Sequence, residues 1–334
     1  MEWHGDILGT GFESCSFEAR GSDGVARQAT LVRHVPESGR NAVNGAVLFL
    51  HGWSDYFFNV DLASFWSRQG FRFYALDMHN HGRNLQDGST GGYVEHLHDY
   101  DAEVAAAIGM IRSEVPEGGL PLTLMGHSTG GLVAALWVSR HPGMVQFLVL
   151  NSPWLEMHGS SLVRKAAQLM VAPVARLRPL TVLRLPERGF YYRSISSNAE
   201  GEWSVDEKYR PPYAFPLRAG WLSAVLSGHT EVARGLAIDI PILVLLSGAS
   251  ANGMIWRESM RHSDAVLDVN IMALRAMTLG RSVTLERVDG GLHDVFLSAP
   301  PVRADAYARL GRWIRGVILD AGPDGSGTRE GGHS

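Results

Sequence analysis

The chain is poor in several residue types. Cys15 is the only cysteine among 334 residues, so no disulfide can form within the chain, which fits a reducing compartment. Lys165 and Lys208 are the only lysines, and arginine carries nearly all the basic charge. A skew of that kind reads as genomic codon bias and not as chemistry. No uncharged apolar run approaches the ~20 residues that a membrane-spanning helix needs. The opening residues Met1-Glu2-Trp3-His4-Gly5-Asp6 lack a basic stretch followed by an apolar one. No secretory signal is therefore expected, and a cytoplasmic location is. The net charge of −4 gives no reason to expect a nucleic-acid partner.

What remains is the composition of a globular enzyme-sized protein. Hydrophobic residues make up 45% and charged residues 19%, in the ordinary range, and a chain of this length can bury a large core without metal or disulfide staples. Short apolar runs occur at Ala46–Leu50, Phe71–Leu76, Leu122–Met125, Phe147–Leu150, Ile242–Leu246 and Val283–Val288, with a weaker one at Val32–Val35. Continuous runs rich in β-formers predict strands buried on both faces, hence a parallel sheet. Helical spacing fills the intervals. Asp99–Val115 carries Val104, Ile108 and Ile111 on one face, and Thr129–Arg140 and Val302–Leu319 also read as helices. Strand and helix in alternation predict an α/β, doubly wound, mostly parallel sheet. The rhythm breaks at 154–238, which predicts a mainly helical cap inserted into a core formed by 1–153 and 239–319. The Gly-rich tail 320–334 is expected to be disordered. There is no internal repeat.

Gly126-His127-Ser128-Thr129-Gly130 fits G-x-S-x-G. In a chain of this composition the bare pattern would arise by chance roughly 0.4 times, so its context must carry the argument. The motif follows the run Leu122–Met125 and precedes the helical stretch Gly131–Trp137. A strand-to-helix elbow holds a serine in strained geometry with its hydroxyl exposed, and the helix N-terminus behind it favours developing negative charge. A serine hydroxyl needs a base before it can attack, and in this architecture the order is Ser, acid, His. His293, in Gly290-Gly291-Leu292-His293-Asp294, follows the last run and precedes the last helix. It is the candidate base. For the acid, nothing suitable follows Leu246 directly; Asp264 is preferred, in the phrase Asp264-Ala265-Val266-Leu267-Asp268, with Asp268 as second choice. Two backbone donors should face the developing oxyanion: the N–H of Thr129 and, from the loop Leu50-His51-Gly52-Trp53, the N–H of Trp53. His51 reads as a brace for that loop. Tyr56, Phe57 and Phe58 are candidates for an acyl pocket, with ordinary core packing as the alternative.

Together, Leu50-His51-Gly52-Trp53, Leu76-Asp77-Met78-His79-Asn80-His81-Gly82-Arg83 and Gly126-His127-Ser128-Thr129-Gly130-Gly131 resemble the monoacylglycerol lipase and lysophospholipase branch of α/β-hydrolases, grouped with S33-type serine aminopeptidases. The resemblance runs from about Gly45 to Trp313, the cap excepted. It implies an α/β-hydrolase fold with Ser128 as nucleophile, His293 as base, Asp264 as acid, and Trp53 with Thr129 as oxyanion hole. It also implies a carboxylic ester hydrolase acting through an acyl-enzyme on a small-molecule acyl ester, without cofactor or metal. Two departures stand out: Trp53 replaces a small residue, and the loop before Asp264 is long. His79-Asn80-His81 and His96-Leu97-His98-Asp99 have ligand-like spacing, but fall in a turn and at a helix start, so no metal is expected. The basic, apolar stretch Leu162–Arg188 offers weak interfacial lipid contact or plain arginine snorkelling. Two other functions are weighed: an aminopeptidase or amidase, for which Glu200, Glu202, Asp206 and Glu207 form the one acidic cluster in the cap, and a non-catalytic binding protein on the same fold. Oligomeric state is not legible.

Overall fold

A computed structural model describes residues 1–37, 44–114, 119–157, 161–184, 188–251 and 253–320. The expected tail lies outside these from residue 321 on. Nine strands form one sheet in the order β1-β2-β3-β5-β4-β6-β7-β8-β9. They are β1 His4–Gly5, β2 Phe12–Arg20, β3 Ala26–His34, β4 Gly45–Leu50, β5 Phe71–Asp77, β6 Leu122–His127, β7 Phe147–Asn151, β8 Ile242–Ser247 and β9 Val283–Val288. From β5 through β9 every neighbouring pair is parallel, whereas β1, β2 and β3 join as antiparallel strands at one edge. The seven apolar runs all fall on strands, the weaker one, Val32–Val35, running one residue past the end of the antiparallel β3. The hairpin formed by β1 and β2 was not expected: β2 reads Phe-Glu-Ser-Cys-Ser-Phe-Glu-Ala-Arg and is buried only at intervals, so it has no continuous apolar run to mark it.

The runs of β4 through β8 are continuous because each of these strands serves two cores, whereas β9, at the sheet edge, is buried only at Val288 and not on both faces as expected. Ala46, Leu48 and Leu50 of β4 join one cluster while Val47 and Phe49 join the other, and Ile242, Val244 and Leu246 of β8 part from Leu243 and Leu245 in the same way. This is the two-residue alternation of strand side chains with both faces covered. The first face is covered by α2 Asp101–Ser113, α3 Thr129–Arg140, α6 Ala219–Arg234 and α7 Val269–Ala276; the second by α1 Val60–Arg68 and α8 Pro300–Trp313. A π-helical turn, Ile314–Leu319, closes the last helix.

Between β7 and α6 the chain leaves the sheet as α4 Ser161–Leu177, α5 Phe190–Ile195 and irregular segments. The stretch 154–238 divides there. Helix α6 gives Trp221, Leu222, Val225 and Val232 to the first core cluster, as a sheet-covering helix does. Residues 190–215 instead approach the carboxyl ends of the strands, where Tyr191, Trp203, Val205 and Tyr209 pack with Tyr56, Phe58 and Leu292. Among the described residues no helix is long and apolar enough to cross a membrane.

One buried ionic knot ties three of these parts together. Arg83 pairs with Asp6 at 2.7 Å, with Asp77 at the end of β5 at 2.6 Å, and with the carbonyl of Phe57 at 3.2 Å. Asp77 in turn accepts the Phe57 N–H at 2.9 Å. All three charged side chains are buried. Replacing Arg83 by Met should leave two buried carboxylates without a cation and cost about 3–5 kcal/mol, read as a lower midpoint in urea unfolding.

Candidate active site

Helix α3 begins directly after β6, and Ser128 is the residue between them. Its φ of +52° and ψ of −119° lie where a non-glycine residue is strained. The surroundings hold it there. The Ser128 N–H donates to Asn151 O at 3.0 Å, and its carbonyl accepts from the N–H groups of Gly131, Leu132 and Trp154 at 2.9–3.2 Å. The turn also demands close backbone approach: a Cβ on Gly130 would lie 2.1 Å from His51 O, and one on Gly126 would lie 2.5 Å from Gly130 O. Ser128 occupies the helix N-cap position, yet its side chain makes no capping bond.

The hydroxyl is turned instead to His293, with Oγ 2.9 Å from Nε2; His293 Nδ1 is 2.9 Å from Asp264 Oδ2. A carboxylate beside Nδ1 favours the tautomer with the proton there, which leaves Nε2 to accept from Ser128. Both His293 and Asp264 are buried. Asp264 is firmly placed. Its Oδ1 accepts from the N–H groups of Val266 and Leu267 at 2.7 and 2.8 Å. Its own N–H donates to Ala249 O at 2.9 Å, while its carbonyl accepts from Ala251 N–H at 2.8 Å. The loop after β8 thus returns to its own base, and Asp264 sits beside residues 249–251 despite its distance along the chain. Asp268 is not part of this chain of bonds. It caps α7, accepting from Asn270 and Ile271 N–H at 3.0 and 3.2 Å.

The loop after β4 stands against Ser128: a Cβ on Gly52 would lie 3.3 Å from Ser128 Cβ. His51 is held at both ring nitrogens, Nδ1 bonding to Gly52 O at 2.7 Å and Nε2 accepting from Met78 N–H at 3.1 Å. Trp53 follows Gly52 in this loop and Thr129 follows the serine, and no backbone hydrogen bond from either N–H to a turn or loop carbonyl is found among the described residues. The three aromatics that follow are split. Phe57 is packed in the second core cluster with Phe49 and Phe73, whereas Tyr56 and Phe58 lie under residues 190–210. The histidine pairs are tied into the fold: His79 N–H and Nδ1 both bond Glu103, His81 Nδ1 bonds His79 O, and the rings of His96 and His98 stack.

Sequence reasoning did not reach a second, buried polar layer around His293. The ring of Tyr191 lies edge-on to His293 at 5.0 Å, and its hydroxyl is 3.5 Å from His127 Nε2. Burial drives the His127 imidazole well below its ordinary pKa, keeping the ring neutral, and pushes the Tyr191 phenol well above its own. Arg210 pairs with Asp55 at 3.0 Å and lies 4.6 Å over the Tyr191 ring. Asp294 accepts from Asn151 Nδ2 at 2.6 Å and from Phe296 N–H at 2.9 Å. The one local signal for this layer is a polar Asn151 ending an apolar strand. Burial raises the Asp294 carboxyl from 3.8 to about 6, against the pull of its hydrogen bonds. Between those values the folded protein holds a proton that the unfolded chain has lost. Stability therefore declines as pH rises through that window, and the loss persists above it. Asp294→Asn retains the accepting oxygen without the charge. It should unfold at higher urea than wild type near pH 8, by about 2–3 kcal/mol, a gain that shrinks to about 1 kcal/mol near pH 4.5.

Comparison with known proteins bears on the family and the fold. A family model described as serine aminopeptidase, S33, matches residues 41–297. A monoacylglycerol lipase of Mycolicibacterium smegmatis is 26% identical over 210 residues, which are 60% of this chain and 68% of that protein. Among solved structures, the monoacylglycerol lipase of Paleococcus ferrophilus aligns with a TM-score of 0.60 at 17% identity, over 94% of this chain and 98% of that one. A carboxyl esterase of Bacillus coagulans, solved with glycerol, aligns with a TM-score of 0.66 at 15% identity, over 92% and 99%. At such identities the structures share the fold, and the family model adds what fold alone does not. The chain is a hydrolase enzyme of the α/β-hydrolase fold and belongs to the serine aminopeptidase S33 family, on its monoacylglycerol lipase-like branch.

Proposed function

We propose that the protein is a serine carboxylic ester hydrolase that works through an acyl-enzyme on small acyl esters such as monoacylglycerols or lysophospholipids. The observation that carries this reading is the continuous hydrogen-bonded chain from Ser128 Oγ through His293 to Asp264, with the serine on a strained elbow. In this reading Ser128 Oγ attacks the ester carbonyl while His293 Nε2 takes its proton. Asp264 orients the imidazole and stabilises its cation. The N–H groups of Trp53 and Thr129 receive the oxyanion. Collapse breaks the bond to the alcohol, which leaves with the proton from His293. Water then attacks the acyl-enzyme by the same route, freeing the acid and restoring Ser128. The lipase name of the Mycolicibacterium relative supports an acyl ester substrate.

The chain segment 154–218 acts in this reading as a cap over the site. Leu169, Met170 and Leu177 of α4 are exposed, apolar surface suited to a lipid interface. An aminopeptidase would need acidic groups free to bind an α-amine. Glu200 pairs with Arg193, Glu202 lies 3.6 Å from Arg303, Asp206 accepts the Lys208 N–H at 2.9 Å, and Glu207 takes the Tyr192 hydroxyl, so each member of that cluster is engaged elsewhere.

A fluorophosphonate probe should label the wild type and fail to label Ser128→Ala; an unlabelled wild type sinks the proposal. Asp264→Asn should lower kcat on the order of 10⁴-fold by stabilising the wrong imidazole tautomer. Asp268→Asn, still able to cap α7, should keep kcat within about twofold of wild type. The reverse ranking transfers the acid role. p-Nitrophenyl esters of rising chain length, set beside amino-acid amides, separate esterase from peptidase, and turnover of esters alone is expected.

A further inference from the structure

Apart from Phe57, the side chains from Trp53 to Phe58 meet residues 203–215 of the segment that crosses above them and Trp221 at the start of α6. The Trp53 ring stacks on Trp221 at 4.2 Å and meets Phe215 edge-on at 6.2 Å. Ser54 Oγ accepts the Phe215 N–H at 3.0 Å. Asp55 is paired with Arg210. The Tyr56 hydroxyl accepts the Asp206 N–H at 3.1 Å, and its ring lies 5.3 Å from Tyr209. Phe58 meets Trp203 edge-on at 6.2 Å. Among the described residues, every hydrogen-bond or ion-pair partner that the side chains of Ser54, Asp55 and Tyr56 find beyond the loop itself comes from 206–215, while the Arg83 guanidinium lies 5.8 Å from the centre of the Tyr56 ring. The bonds to the sheet domain begin only at Phe57, through Asp77.

The loop cannot hold this shape by local preference. Ser54 sits at φ +56°, a conformation that a non-glycine residue keeps only where its surroundings impose it. One of those surroundings is the buried Arg210–Asp55 ion pair. Both side chains are less than one-tenth exposed, at 7% and 9%, so the attraction between the two charges is little screened by solvent, though burial raises the pKa of the Asp55 carboxyl against it. Arg210 is also wedged on Tyr191, whose ring borders His293. A single side chain therefore touches the loop that carries Trp53 and the ring that packs on the proposed base.

We propose that Arg210 is a positioning residue: through its ion pair with Asp55 it fixes the loop 53–56 so that the Trp53 N–H faces the oxyanion. The inference rests on the reading of Trp53 as an oxyanion donor given above. Such a residue touches no substrate, and its effect falls on the transition state. A misplacement of about 1 Å in a donor can cost on the order of a hundredfold in rate, while ground-state binding is little changed.

The test compares Arg210→Met with the double variant Arg210→Met/Asp55→Asn, using p-nitrophenyl butyrate turnover and inhibition by butylboronic acid, which forms a tetrahedral adduct on serine. The single variant leaves a buried carboxylate unpaired and should lose thermal stability; the double variant removes that charge and should regain it. Both should show kcat lowered about 10–100-fold with KM within about threefold of wild type, and boronate affinity weakened in parallel. Tyr56→Phe, which loses only the acceptor for Asp206 N–H, should fold normally and lower kcat by about two- to fivefold. Wild-type kcat in the double variant, with activity simply following stability, overturns the proposal. So does wild-type kcat in both Arg210→Met and Tyr56→Phe. Ser128→Ala separates the two levels: if it retains activity the reading of the site itself fails, and if it is inactive while the Arg210 variants are unimpaired, only the positioning role fails.

Discussion

The turn at Ser128 is the constraint on which the rest of the site depends. A serine at φ +52° is held by four backbone hydrogen bonds, from β7, from the first turn of α3 and from Trp154. The same turn brings the backbone of Gly130 into contact with His51 O, at a spacing that admits no side chain. Two consequences follow from this one contact. The hydroxyl is lifted away from the capping position that it would otherwise fill, and the loop carrying Trp53 is drawn in beside it. A proposed nucleophile and both proposed oxyanion donors are therefore one structural unit, set by where glycine permits backbone to meet backbone.

The parallel sheet supplies the remaining parts from its carboxyl edge. Asn151 at the end of β7 gives its carbonyl to Ser128 and His127 and its side chain to Asp294. Asp264 reaches the same edge because the loop after β8 folds back on 249–251. The polar groups gathered there are nearly all buried. Asp264 is satisfied by hydrogen bonds from the Val266 and Leu267 N–H groups and by His293 Nδ1, the charge of Asp55 is paired with Arg210, and His127 is kept neutral by burial. Such a site tolerates few unpaired charges, since an isolated buried ion is costly. Asp294 has no ion pair among the described residues, and its raised pKa records the cost; burial lifts the Asp55 carboxyl as well, against its pair with Arg210.

Residues 203–221 join the crossing segment to this unit. They are in contact with each of Trp53, Ser54, Asp55, Tyr56 and Phe58. The strained and polar part of the loop thus leans on chain that is not part of the sheet, while the ionic knot at Arg83 secures its far end to β5.

The sequence alone determined the parts whose cause is local. Strands buried on both faces need unbroken apolar runs, so β4 through β8 could be read directly, and the elbow could be read because strand, glycines and helix are contiguous. His293 was legible from its place between the last strand and the last helix. Tertiary structure alone decided the parts whose cause is pairing at a distance. The half-buried β2 strand has no apolar run of its own and owes its identity to β3. Asp264 and Asp268 are alike as residues in a short phrase; one reaches His293 because a loop returns to β8, and the other is consumed in capping a helix. The ion pair between Asp55 and Arg210 joins positions far apart in the chain. No periodicity encodes such a pair, because a salt bridge of that kind depends on where two distant segments are packed and not on what stands beside each residue.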